Sequence, residues 1–135
     1  MYAVEIRDHV MIAHSLSGAV FGPAQQLHGA TYVVDVNFMR PELDANDIVV
    51  DIGRASELVK DILSKLNFAN LDEHPAFKGK RSTTEAIARW VFDQVRRELR
   101  EGKFGAHSDG IARVKVTLHE SHIARASYEG EVARA

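Results

Sequence analysis

The chain of 135 residues contains no cysteine. That single absence removes disulfides, thiolate nucleophiles and thiolate metal ligands together. It also lacks any apolar run long enough to span a bilayer. Its net charge of -2 leaves no general basic surface, so neither a membrane nor a nucleic-acid partner is expected. Glu5, Arg7 and Asp8 interrupt what would have to be the apolar core of a signal peptide, which makes a cytoplasmic location the default expectation. No internal repeat, low-complexity tract or linker divides the sequence. With 45% hydrophobic and 27% charged residues, residues 1–135 read as one globular domain with a substantial core.

Apolar periodicity sets the elements. Residues 2–15 alternate, with Val4, Ile6, Val10 and Ile12 on one face and Glu5, Arg7 and His9 on the other; Asp8 breaks the apolar face and is expected to mark a bulge or a frayed start. Gly18, Gly22 and Pro23 make the next stretch irregular. A second strand runs from about His28 to Met39 and is stopped by Pro41, and Ile48-Val49-Val50 reads as a further short extended piece. A helix opens at Asp51–Gly53, with Leu58, Val59, Ile62, Leu63 and Leu66 at helical spacing. Ser82-Thr83-Thr84-Glu85 is a capping-box pattern that starts a second helix running to about Arg100. Val114, Val116 and Leu118 define a third strand, and Ala124, Ala126 and Tyr128 one side of a fourth. Strands apolar on one face only predict an α+β fold of order ββααββ: a four-stranded antiparallel sheet with both helices on its apolar face. The other face, carrying Glu5, Arg7, Asp35, Asn37, Arg113 and Lys115, is expected to meet water, and the exposed sheet edges favour closure by oligomerisation.

Three polar residues fall in phase with apolar strand faces, each at a strand end: His14, His28 and Glu120. Burying them costs a few kcal/mol each, roughly, unless partners are supplied, so convergence on one pocket at the rim of the core is one reading. Core histidines satisfied by backbone, and a carboxylate paired to an arginine, are the other. His119 falls on the opposite face by strand parity, His74 reads as surface, and His122 lies beyond the third strand.

The motifs around these residues resemble the 6-pyruvoyl-tetrahydropterin synthase family, which includes the 6-carboxytetrahydropterin synthases. Ala13-His14-Ser15-Leu16 is similar to that family's Ala-His-Arg-Leu segment, and Leu27-His28-Gly29-Ala30-Thr31-Tyr32 to its His-Gly-His strand start. Ile48-Val49-Val50-Asp51-Ile52-Gly53 resembles its Met-Val-Met-Asp-Phe-Gly helix entry, and Leu71-Asp72-Glu73 its Leu-Asn-Glu loop. Thr83-Thr84-Glu85 resembles its Pro-Thr-Ser-Glu-Asn helix start, and Glu120-Ser121 with Tyr128 its terminal Glu-Thr and Tyr. The likeness spans nearly the whole chain.

The resemblance implies the tunnelling fold, in which sheets of several subunits join into barrels, so a homo-oligomer is expected: a trimer or a dimer of trimers, the homohexamer. It implies a small-molecule partner, a reduced pterin such as dihydroneopterin triphosphate, and lyase-type chemistry. Glu120 is the residue expected to grip the pterin's amino and ring N–H groups, because a carboxylate offers two acceptors in one plane. Thr83 and Thr84 are expected at the substrate. In the family three histidines hold zinc, a cysteine serves as base, and an Asp-His pair from a neighbouring subunit assists proton transfer. Here the metal set is reduced to His14 and His28, since Ala30 stands for the third histidine. Ala24 stands for the cysteine, and Asn67 and Phe68 for the pair. His14 and His28 are therefore also the candidate catalytic residues, imidazole titrating near pH ~6.5. Three functions are compatible with these residues: a divergent pterin lyase, a catalytically silent pterin-binding or scaffold protein, and an oligomeric structural protein without a small-molecule ligand.

Overall fold

The computed structural model describes residues 1–133. Its order is β1 (Tyr2–His14), β2 (His28–Arg40), α1 (Ile52–Ser64), α2 (Thr84–Arg100), β3 (Arg113–Ser121) and β4 (Ala124–Glu131), with two short 3-10 segments at Ala19–Gln25 and Ser108–Gly110. The strands form one antiparallel sheet in chain order, β1-β2-β3-β4. Period-two alternation turns Val10, Ile12, Val34, Val36, Val116 and Leu118 to one face, where all are buried. α1 packs over β1, and α2 over β3 and β4, on that same face. Burial of α1 through Ala55, Val59, Ile62 and Leu63 follows the predicted helical spacing.

Four local expectations need correction. The β1–β2 register is unbroken from Tyr2↔Arg40 to His14↔His28, so Asp8 marks no bulge; its carboxylate instead accepts from the His9 amide at 2.7 Å. Ile48-Val49-Val50 forms no strand. A turn built on Asp44, whose Oδ1 accepts from the amides of Asn46 and Ile48 at 2.8 and 3.2 Å, drops Val49 and Val50 into the core as unpaired plugs, 4% exposed each. Their apolar run reflects burial, not pairing. Third, the cap of α2 is Thr83, whose hydroxyl accepts from the Ala86 amide at 3.1 Å; Ser82 is buried and points elsewhere. Finally, Asp35 on the polar face does not meet water. It is 3% exposed, beneath Arg7, which grips it with two bonds of 2.7 and 2.9 Å, and beside His119.

The edges differ. Residues 68–71 run along the outer edge of β1 near its end, with Phe68 N donating to Met11 O, Ala13 N to Ala69 O and Leu71 N to Ala13 O, at 2.7 to 3.0 Å. Among the described residues no segment pairs with the outer edge of β4.

Candidate functional site

Because His14 ends β1 and His28 begins β2, the ladder makes them direct cross-strand partners. Their rings meet edge to face at 4.6 Å. His14 is 3% exposed, and its Nδ1 lies 2.9 Å from the Ser82 carbonyl and 3.0 Å from the Ser82 hydroxyl. His28 Nδ1 lies 2.8 Å from the Gln26 carbonyl. A carbonyl only accepts, so each Nδ1 carries a proton, which leaves Nε2 as the nitrogen that bears the lone pair whenever the ring is neutral. Burial first, and the nearby charge of His28 second, push the His14 imidazole below its ordinary value of 6.5. It is therefore held in the neutral, lone-pair-bearing form at neutral pH.

The two histidines line a cavity of about 250 Å³ together with Thr83, Thr84, Glu85 and Glu120, closed on one side by Leu16, Phe21 and Ala24 and floored by Tyr32. All five residues singled out in the sequence thus face one space. Each arrives by a different route: His14 and His28 by cross-strand pairing, Thr83 and Thr84 at the start of α2, Glu120 near the end of β3. Glu120 occupies a bulge. His119 pairs with Arg125 and Ser121 with Ala124, so Glu120 is the extra residue between them, and bulges commonly re-aim a side chain beside a site. Unlike the histidines it is exposed.

Three participants were not foreseen. Tyr32 is 1% exposed; burial pushes its phenol above the ordinary value, against a hydrogen bond with Thr84. Its phase was legible, but a tyrosine on an apolar face reads as core. Phe21 belongs to the irregular stretch, where no periodicity tells which side chains turn inward. Asp72 takes hydrogen bonds from the Ser15 amide at 3.0 Å and the Ser15 hydroxyl at 2.6 Å. Burial opposes its ionisation, but these bonds and the nearby His14 and His28 leave it below the ordinary value.

A second cleft, of about 530 Å³, lies behind the same wall and is lined by Ser15, Ser17, Asp72, Gly79, Lys80 and Arg81. Residues 14–17 alternate between the two spaces: His14 and Leu16 face the cavity, Ser15 and Ser17 the cleft. They adjoin at Gly18 (φ 128°), where the Phe21 ring and an Arg81 Nη lie 3.4 and 3.8 Å from the point a Cβ would occupy. Arg81 is tethered there by Nε donating to Ser17 O at 2.7 Å.

The remaining histidines stand apart. His74 is half-buried, not the surface residue expected: Ala76 N donates to its Nδ1 at 3.1 Å, and its Nε2 donates to Lys65 O at 3.0 Å, so it pins the 67–81 loop. His119 faces away, as parity required, and His122 is exposed in the β3–β4 turn. Among the described residues no group of three or more His, Cys, Asp or Glu side chains is arranged to hold a metal. Ala30, paired with Ile12 on the His28 face, contributes a methyl where the resemblance asks for an imidazole. The donor set falls one short of the three protein ligands a catalytic zinc takes, so the residues present do not fit that metal.

Comparison with known proteins matches the geometry. The family model described as "6-pyruvoyl tetrahydropterin synthase" covers residues 3–131. The chain is 27% identical over 104 residues to the 6-carboxy-5,6,7,8-tetrahydropterin synthase of Bacillus subtilis (strain 168), spanning 73% of this chain and 69% of that protein. Among solved structures it is similar to the 6-pyruvoyl tetrahydropterin synthase of Caenorhabditis elegans, with a TM-score of 0.77 and 23% identity over 96% of this chain and 95% of that one. The Plasmodium vivax 6-pyruvoyl tetrahydropterin synthase follows, with a TM-score of 0.73 and 17% identity over 97% and 99%. At these identities the two structures speak for the fold.

Proposed function

Because the chain belongs to the 6-pyruvoyl tetrahydropterin synthase family, we propose that the cavity beneath His14 and His28 binds a reduced pterin and carries out lyase-type chemistry on its side chain. One observation carries this reading: Glu120, Thr83, Thr84, His14 and His28 line a single space. The Glu120 carboxylate grips the paired N–H donors of the pterin edge. The two imidazoles, each with Nδ1 tied to a carbonyl, present Nε2 to the substrate's side chain, where an imidazole can accept a proton and then return it. Lys80 and Arg81 in the adjoining cleft supply positive charge for an anionic tail, which supports dihydroneopterin triphosphate as the substrate. The donor set does not fit zinc, so the cavity's side chains are the groups that act on the substrate. The assembly proposed is a homo-oligomer, a trimer or a dimer of trimers, joined through the open β4 edge.

The second reading, a silent pterin-binding or scaffold protein, is favoured by a specific observation. The Asn67 side chain, at the position of the family's relay, is spent as an acceptor for the Met11 amide at 3.0 Å. Phe68 beside it is 79% exposed and has nothing to transfer.

Thermal-shift and fluorescence titration with neopterin, biopterin and their dihydro forms test the pocket. A ligand should stabilise the wild type, and Glu120→Ala should weaken it by about tenfold or more, as expected for losing a charge-assisted pair of hydrogen bonds. Binding that is absent, or indifferent to Glu120, overturns the reading. Turnover of dihydroneopterin triphosphate, with product identification and His14→Gln and His28→Gln as controls, then divides the lyase from the silent binder.

A further inference from the structure

The polar face of the sheet carries a cluster around one buried carboxylate that the pocket chemistry does not use. Asp35, in the middle of β2, is held from β1 by Arg7 through Nε to Oδ1 at 2.7 Å and Nη2 to Oδ2 at 2.9 Å. From β3, His119 Nε2 donates to Oδ2 of the same carboxylate at 2.6 Å. The cluster spans three strands. A buried carboxylate is a costly way to stabilise a sheet, since well-packed apolar side chains of similar volume usually do as well or better. What such a group supplies is a fixed place for the atoms bonded to it.

His119 is where a fixed place matters. It is the last residue of β3 belonging to both ladders, paired with Val33 on one side and Arg125 on the other. One residue later the β2 ladder has ended and the β4 ladder has slipped, so neither assigns Glu120 a partner. Glu120 is thus held only through its neighbours, Ser121 paired with Ala124 after it and His119 before it, and the imidazole of His119 is held by Asp35 on the opposite face of the sheet.

We propose that His119 is a positioning residue: through its bond to the Arg7-clamped Asp35 it fixes the start of the bulge, and so aims the Glu120 carboxylate at the donor edge of the bound pterin. The inference rests on the reading that Glu120 grips that edge. It assigns work to a residue on the far side of the sheet, which touches no ligand.

The test compares pterin with lumazine, which has oxygen in place of the 2-amino group and so lacks one of the donors Glu120 accepts from. Wild type is expected to prefer pterin, and Glu120→Ala to lose that preference. His119→Leu, which cannot donate to Asp35, should lower pterin affinity by about tenfold while leaving lumazine affinity unchanged. His119→Gln, whose side-chain amide can donate to the same carboxylate, should restore most of the preference. If His119→Leu keeps the wild-type preference while Glu120→Ala loses it, the positioning idea is overturned and the pocket reading stands. Equal loss of both ligands in His119→Leu signals a damaged pocket and also overturns it. If wild type binds neither ligand, or binds them without dependence on Glu120, the pocket reading itself has failed.

Discussion

At the scale of single residues, Ser82 and Thr83 divide a task the sequence assigns to one of them. A hydroxyl three positions before Glu85 looks like a cap, yet Thr83 takes the cap and Ser82 turns back to hold His14 Nδ1. Thr83→Ala should therefore destabilise the protein by about 1 kcal/mol and speed hydrogen exchange at the Ala86 amide. Ser82→Ala should leave that amide protected. The reverse pattern would restore Ser82 as the cap. Sequence alone could not choose, because both residues offer the same hydroxyl and only the location of His14 breaks the tie. The same limit explains Tyr32 and Asp72. Parity shows which face a side chain takes, but the partner that makes it more than packing comes from a distant segment.

At the scale of elements, strand phase was the most legible signal and Glu120 the most instructive case. Alternation put it on the pocket side and His119 on the other, and both are so placed. A bulge or a frayed start was expected at Asp8, where the ladder is unbroken; the bulge lies at Glu120, because register slips where the ladder ends, not where one polar residue interrupts an apolar face. Ile48-Val49-Val50 shows the converse failure, since a short buried run has the same composition whether or not it pairs. The Arg7–Asp35–His119 cluster predicts a pH response. Hydrogen bonding from Arg7, against the cost of burial and aided by His119, holds the Asp35 carboxyl below its ordinary value of 3.8. A depressed carboxylate contributes stability that is fully present above the unfolded pKa and is lost as pH falls through the folded one. Asp35→Asn should lower Tm at pH 7 by roughly 5 °C, and the gap to wild type should close as the pH is taken below ~4. A gap independent of pH would mean the pair contributes through packing alone.

For the molecule as a whole, the sheet ends in two unlike edges. The β1 edge is partly covered by residues 68–71, whereas among the described residues nothing pairs with the outer edge of β4, a strand of eight residues. An open strand of that length is a template for pairing. Equilibrium sedimentation should give a multiple of the 15.0 kDa chain mass, and a species remaining at 15.0 kDa at micromolar concentration would refute the edge argument. That a small open sheet leaves edges could be read from the strands; which edge is covered could not, because the cover on β1 is a loop without periodicity.

The order β1-β2-β3-β4 also has a kinetic consequence. Two of its three ladders are closed by chain-neighbouring strands, but β2 meets β3 only after residues 41–112, with both helices, have been looped out. That closure is entropically the most expensive contact in the chain and sets a high contact order. The β1–β2 ladder closes over residues 15–27 alone, so it is expected to gain hydrogen-exchange protection before the β2–β3 ladder during refolding. His14 and His28 close that ladder as partners. The cavity they share with Glu120 is complete only once the β2–β3 ladder has closed.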